Sequence, residues 1–257
     1  MTPSGEAHSQ RSVSRRVVGI IPARYASTRL PGKVLIPIHG YPMVHHVYQR
    51  ATECRSLEAV IIATDSPRVA TICAQLGDRV MLTGSQHQSG TDRVAEAARS
   101  MAADLIVNIQ GDEPLLDPHI IDQLVTHMQA HPELPMGTVG STTLAPEDLT
   151  EPNIVKVVGR DGLATGFFRT PPPAPVEGHT LRHVGLYAYR RPFLEQFTAQ
   201  PPTPSERKQG LEQLRALEMG ISIGLVTVAY DALAVDTPAD LERVMAHWRP
   251  SKAFLDE

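Results

Sequence analysis

The strongest constraint on this fold is the alternation of short apolar runs with helix-like segments in the first half of the chain. Val17–Pro22, Ala59–Thr64 and Leu105–Ile109 are apolar runs with the length of a buried strand. Such an order predicts an open, mostly parallel α/β sheet, which binds ligands at the carboxyl ends of its strands. We predict intervening helices at 42–53, 66–76 and 89–101, and a further short strand at 79–82.

The second half of the chain has a different pattern. Strands follow one another there, separated by turns and by the proline-rich segment 170–175, which indicates an antiparallel extension of the sheet. These strands are predicted at 138–143, 154–158, 163–168 and 181–189. The pattern then predicts a helix at 205–219, a strand at 223–229 and a last helix at 238–248, with Thr237 as its N-cap.

Length and charge limit the class of protein. The 257 residues suit one domain, which we place at residues 16–250, behind a tail of residues 1–15 that we expect to be disordered. The formal charge of −4 argues against a general nucleic-acid binder. Without a membrane-length apolar run or a signal-like segment, a cytoplasmic enzyme is expected. Cys54 and Cys73 are too few for a disulfide framework and are expected to be buried.

Three cations lie in the loop that follows the first strand. Arg24, Arg29 and Lys33 belong to the segment PARYASTRLPGK, which is rich in small residues. Convergent cations of this kind suit a polyphosphate, because Arg grips phosphate oxygens in a fork and Lys acts as a mobile charge. A solvated basic loop is the alternative, which the adjoining buried strand disfavours. The P-loop motif is absent, and the absence of G-x-G-x-x-G counts against an NAD-dependent dehydrogenase.

Two carboxylates are candidates for a metal site. Asp112 follows the strand at 105–109, where a carboxylate is costly unless it meets a cation. Asp236 precedes the last helix, where an acidic residue also fits a simple helix start. Mg²⁺ takes carboxylates together with phosphate oxygens, so the two could share one ion. We expect Glu113 at the surface and a structural role for His87.

The order of these motifs resembles one known family. The segments IIPARYASTRLPGK, HQSGTDR, NIQGDEP, RHVGLYAYR, LEQLR and VDTPADLERV together resemble the CMP-KDO synthetases (3-deoxy-manno-octulosonate cytidylyltransferases). The resemblance covers nearly the whole chain after about residue 16. It implies a Rossmann-like α/β fold of the nucleotide-diphospho-sugar transferase type, Mg²⁺, CTP and a small acidic acceptor. It also implies a homodimer, with the dimer and acceptor regions at about 136–220.

The resemblance also implies roles for individual residues. Arg24, Lys33 and Asp112 would be catalytic, and Asp112 and Asp236 would bind Mg²⁺. The residues implied for CTP are Pro22, Ala23, Arg24, Ser27, Thr28, Arg29, Lys33 and Gln110. Those implied for the acceptor are Arg93, Gln110, Arg169, His183, Tyr187, Glu212 and Gln213. The implied mechanism is direct displacement, in which an acceptor oxygen attacks the α-phosphorus of CTP and pyrophosphate leaves.

Two segments depart from the family pattern, and both lie on the acceptor side. Phe168–Pro173 replaces a segment like SRATIPW, although Arg169 persists. Thr203–Gly210 brings Arg207 and Lys208 where the family has an acidic, apolar run. The family resemblance favours KDO as the acceptor. The two added cations would instead suit a smaller or more highly charged acid, so the alternative is phosphonoformate, to which relatives in phosphonate pathways transfer CMP. A non-catalytic nucleotide-binding module is a weaker alternative, because both metal carboxylates are present.

Overall fold

The computed structural model describes residues 16–26, 30–171 and 177–248, so the predicted tail at 1–15 lies outside the described residues. The strands are β1 (Val17–Pro22), β2 (Pro37–Ile38), β3 (Tyr41–Pro42), β4 (Ala59–Thr64), β5 (Val80–Leu82), β6 (Leu105–Asn108), β7 (Met136–Ser141), β8 (Lys156–Arg160), β9 (Leu163–Phe168), β10 (His179–Arg190) and β11 (Ile223–Val228). The helices are α1 (Met43–Thr52), α2 (Pro67–Gln75), α3 (Gly90–Arg99), α4 (Pro118–Ala130), α5 (Arg191–Thr198), α6 (Pro204–Gln209), α7 (Gln213–Glu218) and α8 (Pro238–His247), with short 3₁₀ turns at Lys33–Leu35 and Pro146–Leu149.

One large sheet has a parallel half and a mostly antiparallel half. Its strand order is β5-β4-β1-β6-β10-β7-β11-β9-β8. The first four strands are parallel, and β10 runs antiparallel to both β6 and β7. The start of β10 also pairs with β8, so the second half curls back on itself. The predicted fold class is confirmed, and the carboxyl ends of β1, β4 and β6 meet at one edge of the sheet.

The sheet is buried because helices cover both of its faces. Val17 and Ile21 of β1 pack into one apolar cluster with α1 and α4. Val18 and Ile20 point the other way, into a cluster with α3 and α5. A strand covered on both faces must be apolar throughout, which explains the unbroken runs in the sequence. None of the helices among the described residues has the length and apolar character of a membrane span.

The cysteines behave as small apolar residues. Cys54 and Cys73 are both buried and unpaired, as the sequence predicts. Burial raises the pKa of the Cys73 thiol to about 12. Neither thiol therefore has the ionised, exposed character that a reactive cysteine needs.

The predicted helix at 205–219 is wrong, because the chain breaks there into α6 and α7. Gly210 adopts a left-handed conformation with φ 63°, which ends a helix at little cost only for glycine. Its N–H donates to the carbonyl of Glu206 at 2.7 Å. The helices α4 and α5 were not predicted, although Asp117 caps α4 and Pro118 occupies its first turn.

Two consecutive arginines at the end of β10 fasten the sheet to the helices on its two faces. Arg190 donates to the carbonyl of Met128 in α4 at 2.6 Å. Arg191 donates to the carbonyls of Ala103 at 2.7 Å and of Ala98 in α3 at 2.8 Å. The last carbonyls of a helix have no partner within the helix, so the two guanidinium groups supply donors that the helices lack.

We expect Arg191→Ala to lower the free energy of unfolding by about 2–3 kcal/mol, because it leaves partly buried carbonyls without donors. Urea unfolding followed by circular dichroism measures the change. Arg160→Ala is the control, since Arg160 is exposed and pairs with exposed Glu177; its loss should stay under about 1 kcal/mol. Equal losses of unfolding free energy in the two variants would contradict the role of Arg191 in holding α3 to the sheet.

Candidate active site

Two adjoining cavities open at the carboxyl edge of the parallel strands. The first, about 340 Å³, lies between the loop after β1, the start of α3 and the loop after β6. The second, about 260 Å³, lies between α3, β10 and the break between α6 and α7. Pro22, Gly90, Gln110 and Glu212 line both cavities. A ligand in one cavity can therefore meet a ligand in the other beside these four residues.

Glycines permit the close packing that shapes the two cavities. A Cβ at Gly111 would lie 3.1 Å from the carbonyl oxygen of Pro22, and one at Gly90 would lie 3.3 Å from the Pro22 ring. A Cβ at Gly185 would lie 2.9 Å from Cγ of Gln110. The Gln110 amide donates to the carbonyl of Gly185 at 2.9 Å. Side chains at these positions would therefore push apart the elements that carry the site.

Positive charge and a helix start converge on the first cavity. Arg24, Lys33 and Arg93 are among its lining residues, together with Ser89 at the N-terminus of α3. Ser89 and Asp92 form a reciprocal capping box that fixes this helix start. Free N–H groups and the helix dipole favour an anion at such a position. The arrangement suits a chain of phosphates.

The Lys33 ammonium lies between two carboxylates. Its Nζ is 2.6 Å from Oδ2 of Asp112 and 2.9 Å from Oδ1 of Asp236. Burial lowers the pKa of Lys33, but the two carboxylates outweigh this and raise it above its usual value. The N–H of Val235 donates to the carbonyl of Asp112 at 2.9 Å, which joins the two acidic segments. One cation can thus contact both carboxylates, and such a donor set fits Mg²⁺.

Arg93 is held by a carboxylate that the sequence analysis gave no role. The Arg93 side chain is 4% exposed, and its Nη2 lies 3.0 Å from Oδ2 of Asp65 at the end of β4. A second donor of Arg93 reaches the carbonyl of Gly84 at 3.3 Å. Asp65 orients the guanidinium and compensates its burial. Its position directly after a buried strand was the available signal.

The imidazole of His183 is neutral and its tautomer is fixed. The Thr138 hydroxyl donates to the carbonyl of Leu186 at 2.9 Å, so it can only accept from Nε2 of His183, 3.0 Å away. Burial lowers the pKa of His183 to about 3. The second cavity is therefore lined by an imidazole whose Nδ1 is an unprotonated acceptor.

A bulge in β10 brings His183 and Tyr187 together. Four residues of regular strand would separate them by about 13 Å. The register of β10 against β7 shifts between Val184 and Tyr187. The two rings consequently lie 5.4 Å apart between centroids, and both line the second cavity. The bulge therefore supplies the contact between the two side chains.

Most of the residues predicted for the site do line the cavities. These are Pro22, Arg24, Lys33, Arg93, Gln110, Asp112, His183, Tyr187, Glu212 and Gln213. Asp236 is not in the lining of either cavity, but its carboxylate contacts Lys33, which lines the first. Ser27, Thr28 and Arg29 lie outside the described residues. Sequence reasoning missed Thr91 and Asn108, two buried polar residues that line the second cavity.

Two predicted ligand residues, Arg169 and Ala23, are not among the residues that line the two cavities. Arg169 donates to the carbonyls of Gln209, Pro152 and Gly210 at 2.8, 3.0 and 3.4 Å. It therefore holds loops together instead of lining the acceptor cavity. Ala23 is fully buried, and its N–H donates to the carbonyl of Ala63 at 2.8 Å.

The expectation for Glu113 is wrong, because this residue is 7% exposed. Burial raises the pKa of Glu113 to about 8; the charge of Asp112 acts in the same direction and that of Arg182 opposes it. His87 forms a hydrogen bond with Glu96, which fits the structural role expected of it, and it also lines the first cavity. The residues next to Glu113 in the sequence, Asp112 and Pro114, gave little sign that it is buried.

Comparisons with known proteins agree with this geometry. The cytidylyltransferase family model matches residues 18–223. The 3-deoxy-manno-octulosonate cytidylyltransferase of Geobacter metallireducens is 46% identical, over 90% of this chain and 96% of the relative. The enzyme of the same name from Solibacter usitatus is 47% identical, over 92% and 96% respectively.

Solved structures give the same result. A CMP:2-keto-3-deoxy-manno-octonic acid synthetase complexed with CTP superimposes with a TM-score of 0.85 at 41% identity, over 90% of this chain and 98% of that chain. A cytidylyltransferase from Leptospira borgpetersenii has a TM-score of 0.63 at 17% identity, which shows a shared fold. The likeness covers nearly the whole chain.

We expect His183 to stay neutral, protonated on Nε2, from pH 5 to 8, because its pKa is lowered far below the ordinary ~6.5. Nitrogen-15 NMR of the imidazole, assigned by comparison with His183→Gln, measures its tautomer and titration. In the protein unfolded by urea, His183 should titrate near the ordinary pKa of about 6.5, and this serves as the reference. A titration of the folded His183 near pH 6 would contradict the geometry.

Proposed function

The chain belongs to the cytidylyltransferase family and, within it, to the 3-deoxy-manno-octulosonate cytidylyltransferases, and on that premise we propose that it transfers CMP from CTP to 3-deoxy-manno-octulosonate (KDO) and releases pyrophosphate. The resemblance inferred from its sequence motifs is thereby confirmed. The observation that carries the proposal is the pair of adjoining cavities, one cationic and one without a cation in its described lining.

The first cavity suits the triphosphate of CTP. Arg24 and Lys33, from the loop after β1, and the N-terminus of α3 offer donors and positive charge. The raised pKa of Lys33 keeps its ammonium charged. Catalysis of phosphoryl transfer consists largely of positioning and charge neutralisation, so these groups would contribute without forming a covalent intermediate.

Asp112 and Asp236 would hold Mg²⁺. Their oxygens already converge on one cation, the ammonium of Lys33. When bound, the metal would neutralise charge on the phosphates and stabilise the transition state. Both side chains keep some exposure, 26% for Asp112 and 33% for Asp236. Asp112 lines the first cavity, and Asp236 adjoins it through its contact with Lys33.

The second cavity suits a sugar acid. Its described lining contains no Lys or Arg, and it includes neutral His183, Tyr187 and Gln213. Arg93, which lines the first cavity, would meet the acceptor carboxylate where the cavities join. There an acceptor hydroxyl oxygen would form a bond to the α-phosphorus while the bond to the pyrophosphate oxygen breaks. Gln110 faces both ligands at this point.

The phosphonoformate alternative loses the feature that favoured it. Arg207 and Lys208 are exposed on α6 and line neither cavity. A small, highly charged acid would need cations in the second cavity, whose described lining has none. KDO, which carries several hydroxyls and one carboxylate, better matches a polar wall that contains Glu212 and, in its described part, no cation.

A homodimer in the cytoplasm completes the proposal. The family resemblance supports a dimer through the region at about 136–220, and the use of CTP is in keeping with the cytoplasm. Light scattering coupled to size-exclusion chromatography measures the assembly; a monomer at working concentration would contradict this part alone.

The experiment that tests the function is pyrophosphate release from CTP and Mg²⁺, with KDO and phosphonoformate offered in parallel. We expect release with KDO, dependent on Mg²⁺ and abolished by EDTA, and none with phosphonoformate. UTP and ATP in place of CTP test the nucleotide. Release with phosphonoformate alone would overturn the acceptor assignment and retain the reaction class.

Asp112→Asn should lower kcat on the order of a hundredfold or more, because it removes a charge that neutralises the metal. Circular dichroism should show an unchanged fold. Asp161→Asn is the matched control, since the Asp161 side chain is 91% exposed, and its activity should match the wild type. Undiminished turnover by the Asp112 variant would exclude the metal assignment.

A further inference from the structure

The wall of the second cavity contains two buried acceptor oxygens with no hydrogen-bond partner among the described residues. They are Oδ1 of Asn108 and Oε2 of Glu212. Asn108 is only 2% exposed, and it lines this cavity at the end of β6. A buried polar atom without a partner costs free energy, and native proteins rarely keep one without a reason. The pair therefore indicates a ligand that brings hydrogen-bond donors.

The orientation of the Asn108 amide follows from its contact with Thr91. Nδ2 of Asn108 donates to the Thr91 hydroxyl oxygen, 3.5 Å away. Burial raises the pKa of the Glu212 carboxyl, and a hydrogen bond with Thr91 opposes that shift; Thr91 acts in the same way on the Tyr189 hydroxyl. Oδ1 of Asn108 is thereby the amide atom without a partner.

Two further groups of the cavity also accept hydrogen bonds or have a donor already in use. Nδ1 of neutral His183 is unprotonated, as its bond to Thr138 requires. One N–H of Gln110 is already used on Gly185. The described lining holds no Lys or Arg. Alcohol hydroxyls fit such a wall, because each supplies a donor without bringing a negative charge near Glu212.

We propose that Oδ1 of Asn108 accepts a hydrogen bond from an alcohol hydroxyl of the acceptor, and that Thr91 fixes the amide in the orientation that makes this possible. This inference rests on the proposed function and deepens it. It assigns Asn108 as a residue that selects a polyhydroxylated acid over an acid without hydroxyls. Thr91 is a positioning residue, which acts through Asn108.

The first test compares wild type and Asn108→Ala on KDO and on analogues that each lack one hydroxyl. We expect Asn108→Ala to raise the KM for KDO about tenfold, the effect of one lost hydrogen bond. The KM for CTP should not change. Wild type should discriminate against one particular deoxy analogue by a similar factor. In the variant that discrimination should vanish, while discrimination against the other analogues persists.

A second pair of variants covers the case in which Asn108→Ala does not fold. Thr91→Val has the same shape and removes the hydroxyl that orients Asn108, so it should raise the KM for KDO. Thr91→Ser keeps the hydroxyl and should restore wild-type behaviour. Asn153→Ala, at an exposed asparagine that lines neither cavity, is the matched control and should leave both KM values unchanged.

The outcomes separate this inference from the function on which it rests. If wild type uses KDO but the KM and the analogue preference of Asn108→Ala are unchanged, the inference is overturned and the function stands. If wild type uses phosphonoformate and not KDO, both are overturned, because that acceptor has no alcohol hydroxyl. If Thr91→Val and Thr91→Ser behave alike, the positioning role of Thr91 is overturned.

Discussion

The contact on which this site depends is the one between the Lys33 ammonium and the carboxylates of Asp112 and Asp236. The two carboxylates lie 79 and 203 residues from the lysine along the chain. Two carboxylates at such close range repel each other, so the loops that carry them approach only around a cation. The apolar cluster of Ile38, Met43, Val235 and Val244 supports the same approach by packing α8 against the segment that follows the β1 loop.

The two halves of the sheet explain why the first cavity is cationic and the second is not. The first cavity is formed where β1, β4 and β6 end, and parallel strands end beside helix N-termini, which favour anions. The second cavity is formed largely along β10, an antiparallel strand that contributes side chains and carbonyls. The bulge in β10 turns His183 and Tyr187 into this space. One half of the sheet thus suits a nucleotide, and the other half suits the hydroxyl-bearing part of an acceptor.

The sequence predicted the parts of this structure that depend on local pattern. The bounds of β1, β4 and β9 are those predicted, because an apolar run between polar residues determines them. The break at Gly210 was missed, since a helical pattern on both sides conceals one glycine in a left-handed conformation. The burial of Glu113 was missed for another reason. It depends on strands and loops that meet only in three dimensions, which periodicity does not describe.

Backbone contacts explain why the sequence near Arg169 can differ from the family pattern. Arg169 and Lys156 bind carbonyl oxygens, and Lys156 is fully buried with donors to Glu151 and Ile154 at 2.9 and 2.7 Å. A carbonyl is present whatever the side chain, so neighbouring residues can change while these two cations still hold the loops. The loop that Arg169 holds includes Gly210, which precedes Leu211 and Glu212 in the cavity wall. An altered sequence on the acceptor side is therefore compatible with an unaltered acceptor cavity.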